Sequence, residues 1–184
     1  MKKNAFKLLA LAFFAFLLSS CLTVEKKEYK WEITGPNSGI LTITYINILS
    51  DMDDSLDVSQ EDFEEVLNSY LYGTYIDDHF PMAANIEKRL FAKNNQLWGE
   101  VVMEFDDLSA VHLYQHDKKG PFMFCVNTAA DTETYEGSSG EFGGDHMPVV
   151  FWGAKEKELS LTTIVQEVDE TTLSLVGEYY KWKE

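Results

Sequence analysis

Cysteine is almost missing from this chain. Of its 184 residues only two are cysteine. Cys21 closes an apolar leader, so the body of the chain holds Cys125 alone and no intrachain disulfide framework can staple it. Cys125 lies in the apolar run Phe122-Met123-Phe124-Cys125-Val126, where a thiol is expected to act as a small core hydrophobe. No basic residue in that run lowers its pKa. Positive charge is also scarce: 15 Lys and Arg stand against 31 Asp and Glu, a net charge of −16. Nucleic-acid affinity rests on cations that neutralise phosphates, so that function class is excluded. The acidic surface is first a solubility feature, with cation binding the sharper alternative. Catalytic signatures are missing as well, with no nucleophile elbow, P-loop or dinucleotide fingerprint anywhere. No internal repeat is visible.

What is present begins at the N-terminus. Lys2, Lys3 and Lys7 precede an apolar run from Leu8 to Leu18, too short for the ~20 residues of a membrane-spanning helix. A charged start, a short apolar stretch and small residues at its end describe a signal peptide over 1–20. Leu18-Ser19-Ser20-Cys21 resembles the lipobox of bacterial lipoproteins at all four positions. The resemblance implies that Cys21 takes a diacylglyceryl group and becomes the lipidated N-terminus after cleavage. Leu22 rather than aspartate follows it, which in enteric-type lipoproteins implies an outer-membrane lipoprotein. The implied partner is then the membrane, held through the lipid. Cleavage removes three lysines and no acids, leaving 12 basic residues against 31 acidic and a net charge of −19. Anionic head groups repel such a chain, so two or three acyl chains must do the anchoring. Residues 21–27 read as lipidated cysteine and tether, and 28–184 as one domain able to bury a sizeable core.

Within that domain, Glu28–Thr34 and Ile40–Ile48 flank the turn Gly35-Pro36-Asn37-Ser38-Gly39 and predict a hairpin. A second hairpin is expected from Ile86–Ala92 and Leu97–Phe105, its burial side Leu97, Gly99, Val101, Met103 and Phe105. Between the hairpins Ser59–Leu71 has helical spacing, with Phe63, Val66, Leu67 and Tyr70 on one face. Ser59 is its expected N-cap and Asp62 the partner of a weak capping box. Asp106–Tyr114 predicts a helical turn, and Pro121–Val126, Pro148–Trp152 and Glu158–Gln166 three more strands. The glycine-rich stretch 132–145 reads as a polar loop. A C-terminal helix is expected after the cap-like residues Asp169–Thr172, which stand ahead of Leu173, Val176 and Tyr180. Hairpins without regular βα alternation give the class α+β: a mainly antiparallel sheet with two or three helices packed on one face.

The stretch DMDDSLDVSQEDF offers the one metal-like spacing. Counted as a calcium loop, Asp51, Asp53, Ser55, Asp57 and Asp62 fall at ligating positions one, three, five, seven and twelve, with Ser59 ninth. Leu56 occupies the position that demands glycine, and Asp62 replaces the longer bidentate glutamate. The first reading is an acidic loop that caps a helix, and the second a calcium site. His112 and His116 would share a face on a helix and could begin a zinc site, although no adjacent glutamate supplies a base. Trp31, Trp98, Trp152 and Trp182 lie on or beside sheet elements; Trp98 is either a binding surface or core. Three functions remain open: a lipid-anchored binding protein, a metal-dependent hydrolase using His112, His116 and carboxylates, and a carrier whose curved sheet encloses an apolar ligand. An apolar concavity would favour the carrier.

Overall fold

The computed structural model describes residues 22–52, 56–126 and 133–184. Strand β1 (Leu22–Ile33) turns through Gly35–Gly39 into β2 (Gly39–Asp51), with Trp31 opposite Leu41 and Lys27 opposite Tyr45. Helix α1 (Ser59–Glu65) continues as a π-helical segment (Val66–Leu71), and a short α2 (Tyr75–His79) follows. Strands β3 (Ala84–Lys93) and β4 (Gln96–Phe105) form the second hairpin. Asn94 and Asn95 both take positive φ at its tip, the geometry that a tight two-residue turn requires and that asparagine tolerates best. A 3-10 turn (Leu108–Val111) leads to β5 (Phe122–Cys125), β6 (Thr134–Ser138), β7 (Glu141–Phe142), β8 (Val149–Trp152) and β9 (Glu158–Ile164). The chain ends in β10 (Thr172–Ser174) and α3 (Val176–Lys183).

The large sheet runs β3-β4-β2-β1-β9-β6, with β10 on the end of β2 beyond β4; a small sheet runs β5-β8-β7. Among the described residues every strand pairing is antiparallel, and with the three α-helices there the fold is α+β. One core cluster joins the two sheets around Trp31, which stacks on Tyr29 and meets Phe124 and Trp152 at 5.2 and 5.7 Å between ring centroids. Ile76 of α2 packs into this cluster. A second cluster gathers Phe63 and Val66 from the first helix, Val176 and Tyr179 from α3, and Ile48, Leu97 and Leu175. Tyr45 packs against both.

Several expectations change. The segment 22–27 is the first half of β1, not a tether: Leu22 pairs with Ser50 and Val24 with Ile48. Pairing with β2 satisfies its backbone groups, which a free tether would leave to water. The stretch 132–145 contains β6 and β7, because β9 and β8 each offer an edge to pair. Leu173 belongs to β10, and α3 buries Tyr179 while Tyr180 stays exposed. Ser59 is the first residue of the helix and not its cap, a position held by Val58 with no side-chain cap, and its N–H is donated to Asp57 Oδ1 at 3.0 Å. Cys125 alternates with the buried Phe122 and Phe124 and is only half-buried, because β5 covers the core with one face. Trp98 is buried, with Lys93 3.9 Å above its ring and Phe91 beside it.

Candidate functional site

The two core clusters do not close on one another. Between them lies a cavity of about 710 Å³, within the ~300–1,000 Å³ of small-molecule sites. Ile43 and Val101 belong to its sheet wall, Val66, Tyr70 and Ile76 to its helical wall, and Phe124 of the small sheet to a third side. Local sequence explains the helical wall. Gly73 ends the π-helical segment, where a Cβ would sit 2.3 Å from the Asn68 carbonyl oxygen, so the chain can turn sharply there into α2. Lys88 donates to the Gly73 carbonyl at 2.8 Å and to Asp77 Oδ2 at 2.7 Å, fastening this turn to β3.

A buried polar cluster lies on one part of the lining. Glu133 accepts from Lys27 Nζ at 2.7 Å, from the Tyr29 hydroxyl at 2.9 Å and from Thr163 Oγ1 at 2.6 Å. The carboxylate is thereby paired and hydrogen-bonded, as a buried charge must be. Elsewhere aromatic rings dominate. Tyr75 stacks on His79 at 4.1 Å, while Tyr70 meets Tyr75 at 4.4 Å and Phe80 meets His112 at 5.3 Å, both tilted. Burial, and then Tyr75, pushes the Tyr70 phenol well up, so it stays neutral. Burial, and then the adjacent His79, holds His112 below the usual imidazole range.

The two candidate histidines are set apart, and the described carboxylates of the acidic stretch each accept a hydrogen bond. Asp51 accepts from Thr171 Oγ1 at 2.7 Å, Asp57 from the Ser59 N–H, and Asp62 is buried against Ser50 Oγ at 2.6 Å. Each carboxylate therefore serves a different local contact. Asp53 and Ser55 lie outside the described residues, as does Cys21. His112 ends the 3-10 turn with a left-handed φ of 56°, so it and His116 do not share a helical face. His112 lines the large cavity, whereas His116 lines a separate surface depression beside Asp117. Among the described residues no three His, Cys, Asp or Glu side chains gather as metal ligands, and no helix is long and apolar enough to cross a membrane.

Sequence reasoning missed the cavity and the Glu133 cluster. Glu133 and Lys27 are 106 positions apart, and no local pattern joins them. The aromatic content of Tyr70–Phe80 was the available signal, because so many rings in one short stretch exceed what a capped helix needs. No protein-family model, curated protein or solved structure matches this chain.

Proposed function

We propose that this is a cell-envelope binding protein, anchored by a lipid on Cys21, that holds an apolar small molecule in the cavity between its two core clusters. The cavity carries this reading. Its volume falls in the range of small-molecule sites, and it is a concavity rather than a flat surface. Its lining joins many apolar and aromatic side chains to a few placed polar groups, the usual composition of a ligand site. The anchor fits the same picture. Leu22 follows Cys21 directly and itself lines the cavity, so a lipid on Cys21 would hold the site at the membrane surface. The Leu22 that follows the cysteine favours the outer membrane, by resemblance to enteric lipoproteins.

The test uses the lipid-free domain starting at Leu22 and the reporter N-phenyl-1-naphthylamine, which fluoresces in apolar sites. The expected result is saturable binding that Val101→Phe abolishes while unfolding stays cooperative at a somewhat lower melting temperature. Val101 is both core and cavity wall, and overpacking a core costs about 1–3 kcal/mol. Equal binding by the two proteins would end the carrier reading.

A further inference from the structure

The charges around the cavity narrow the class of ligand. Three cationic side chains line it among the described residues, Lys27, Lys88 and Arg89. Each is already held by a carboxylate at the same distance. Lys27 Nζ lies 2.7 Å from Glu133 Oε1, Lys88 Nζ 2.7 Å from Asp77 Oδ2, and Arg89 Nε 2.7 Å from Glu100 Oε1. Two of these acids, Glu100 and Glu133, line the cavity themselves. A carboxylate or phosphate entering the site would therefore meet an acid beside every cation. At the buried Lys27–Glu133 pair it would have to break the pair or go unpaired, and both cost free energy. At the other two, where Asp77 is 48% and Arg89 65% exposed, the resident acid opposes an anion more weakly, through solvent. The remaining polar groups are suited to uncharged ligands. Tyr70 and Tyr75 supply phenols and His112 an imidazole, and a hydroxyl or carbonyl can exchange hydrogen bonds with these without bringing a charge.

We infer that the cavity takes an uncharged amphiphile, an apolar chain ending in a hydroxyl, ester or amide, and discriminates against the same chain ending in an anion. This rests on the carrier reading. It adds that three pre-formed ion pairs, rather than apolar shape alone, set the selectivity. A single-chain alcohol or a neutral acylglycerol has this chemistry, while a fatty acid at neutral pH does not.

The experiment compares 1-dodecanol with dodecanoate as displacers of N-phenyl-1-naphthylamine at about pH 8, where the free acid is ionised. In the native sequence dodecanol should displace at much the lower concentration. Because any apolar cavity prefers the alcohol to some degree, the deciding readout is how the ratio responds when a pair is opened. Asp77→Asn frees Lys88 and Glu100→Gln frees Arg89, and both acids sit where the change is small in shape. Each variant should narrow the dodecanol-to-dodecanoate preference about two- to fivefold, the size of one partly exposed ion pair. An unchanged ratio in both variants, with reporter binding intact, would overturn the selectivity and leave the carrier reading standing. Absence of reporter binding in the native domain would overturn both.

Discussion

Asn47 Nδ2 donates to Glu25 Oε2 at 2.8 Å across the first hairpin, at the point where β1 and β2 change the faces they bury. Before this point Leu41 and Ile43 face the first cluster; after it Ile48 faces the second. Strict alternation would send Ile48 to the opposite side. Asn47 breaks the alternation with a φ of 56°, a left-handed conformation that asparagine adopts more readily than most residues. On β1 the matching change leaves Tyr29 and Trp31 in the first cluster and Leu22 and Val24 against the second. The cavity opens along this bend, so one asparagine helps to define the space that the ligand would fill.

Replacing Asn47 should therefore weaken the fold and the site together. Asn47→Ala loses a largely buried hydrogen bond and forces a Cβ-bearing residue without polar compensation into positive φ. The expected cost is about 2–3 kcal/mol. Asn47→Gly keeps the backbone geometry and should cost about 1 kcal/mol less. Urea unfolding of both variants measures the difference, and equal losses would show that the conformation contributes nothing.

The Glu133 cluster should be sensitive to the removal of one partner. Glu133→Ala removes the carboxylate shared by Lys27, Tyr29 and Thr163, in a wall where the Lys27 side chain is 14% exposed. Breaking a buried pair in this way costs about 3–5 kcal/mol. Removing both charges, as in Lys27→Met with Glu133→Leu, should cost clearly less than the single change. Thermal melts of the single and double variants would decide this, and a double variant worse than Glu133→Ala would contradict it.

Stability should fall with acid in two steps. His112 is depressed below 6.5 in the folded chain, so below 6.5 the unfolded chain takes up the proton more readily. Its contribution is complete above 6.5 and declines as pH falls through that value. His112→Asn, which suits the left-handed backbone there, should flatten the melting-temperature profile between about pH 7 and 5.5. A second fall comes lower. Asp57, Asp107 and Asp169 are held down first by side-chain hydroxyls of Ser59, Ser109 and Thr171. Asp77 is held down first by Lys88. Their stabilisation is present above 3.8 and is lost as pH drops through their lowered values. An unaltered profile in His112→Asn would remove the upper step.

Calcium should have little effect at millimolar concentration, because Asp51, Asp57 and Asp62 each serve a separate hydrogen bond. A true site saturated at about 100 times its dissociation constant would add roughly 2.7 kcal/mol. Asp57→Ala should lower the melting temperature slightly and to the same extent with or without calcium, since it removes only the acceptor of the Ser59 N–H. A calcium-dependent rise in melting temperature that Asp57→Asn abolishes would restore the cation site.

Cys21→Ala should release the protein from the membrane fraction. The native N-terminus should also carry the mass of its acyl groups. Membrane retention of the variant would refute the lipid anchor.

The hairpins, the first helix and the 3-10 turn were legible in the sequence, because each follows from local chemistry. Turn residues at 35–39 and 94–95, a helical stripe at Phe63 and Val66, and the turn signals of Asp106–Tyr114 all act within a few positions. The same locality explains what was misread. Residues 22–27 are polar enough to pass for a tether, and become a strand only because β2 and β9 flank them. Asp62 has the composition of a ligand or cap, but Ser50 across the fold claims it. The cavity depended on tertiary structure entirely. Its walls come from both sheets and two helical segments, and its charge pattern from partners as far apart as Lys27 and Glu133. Local periodicity determines which residues turn inward; only the bend at Asn47 and the packing of distant elements decide whether those residues meet one another or enclose a space.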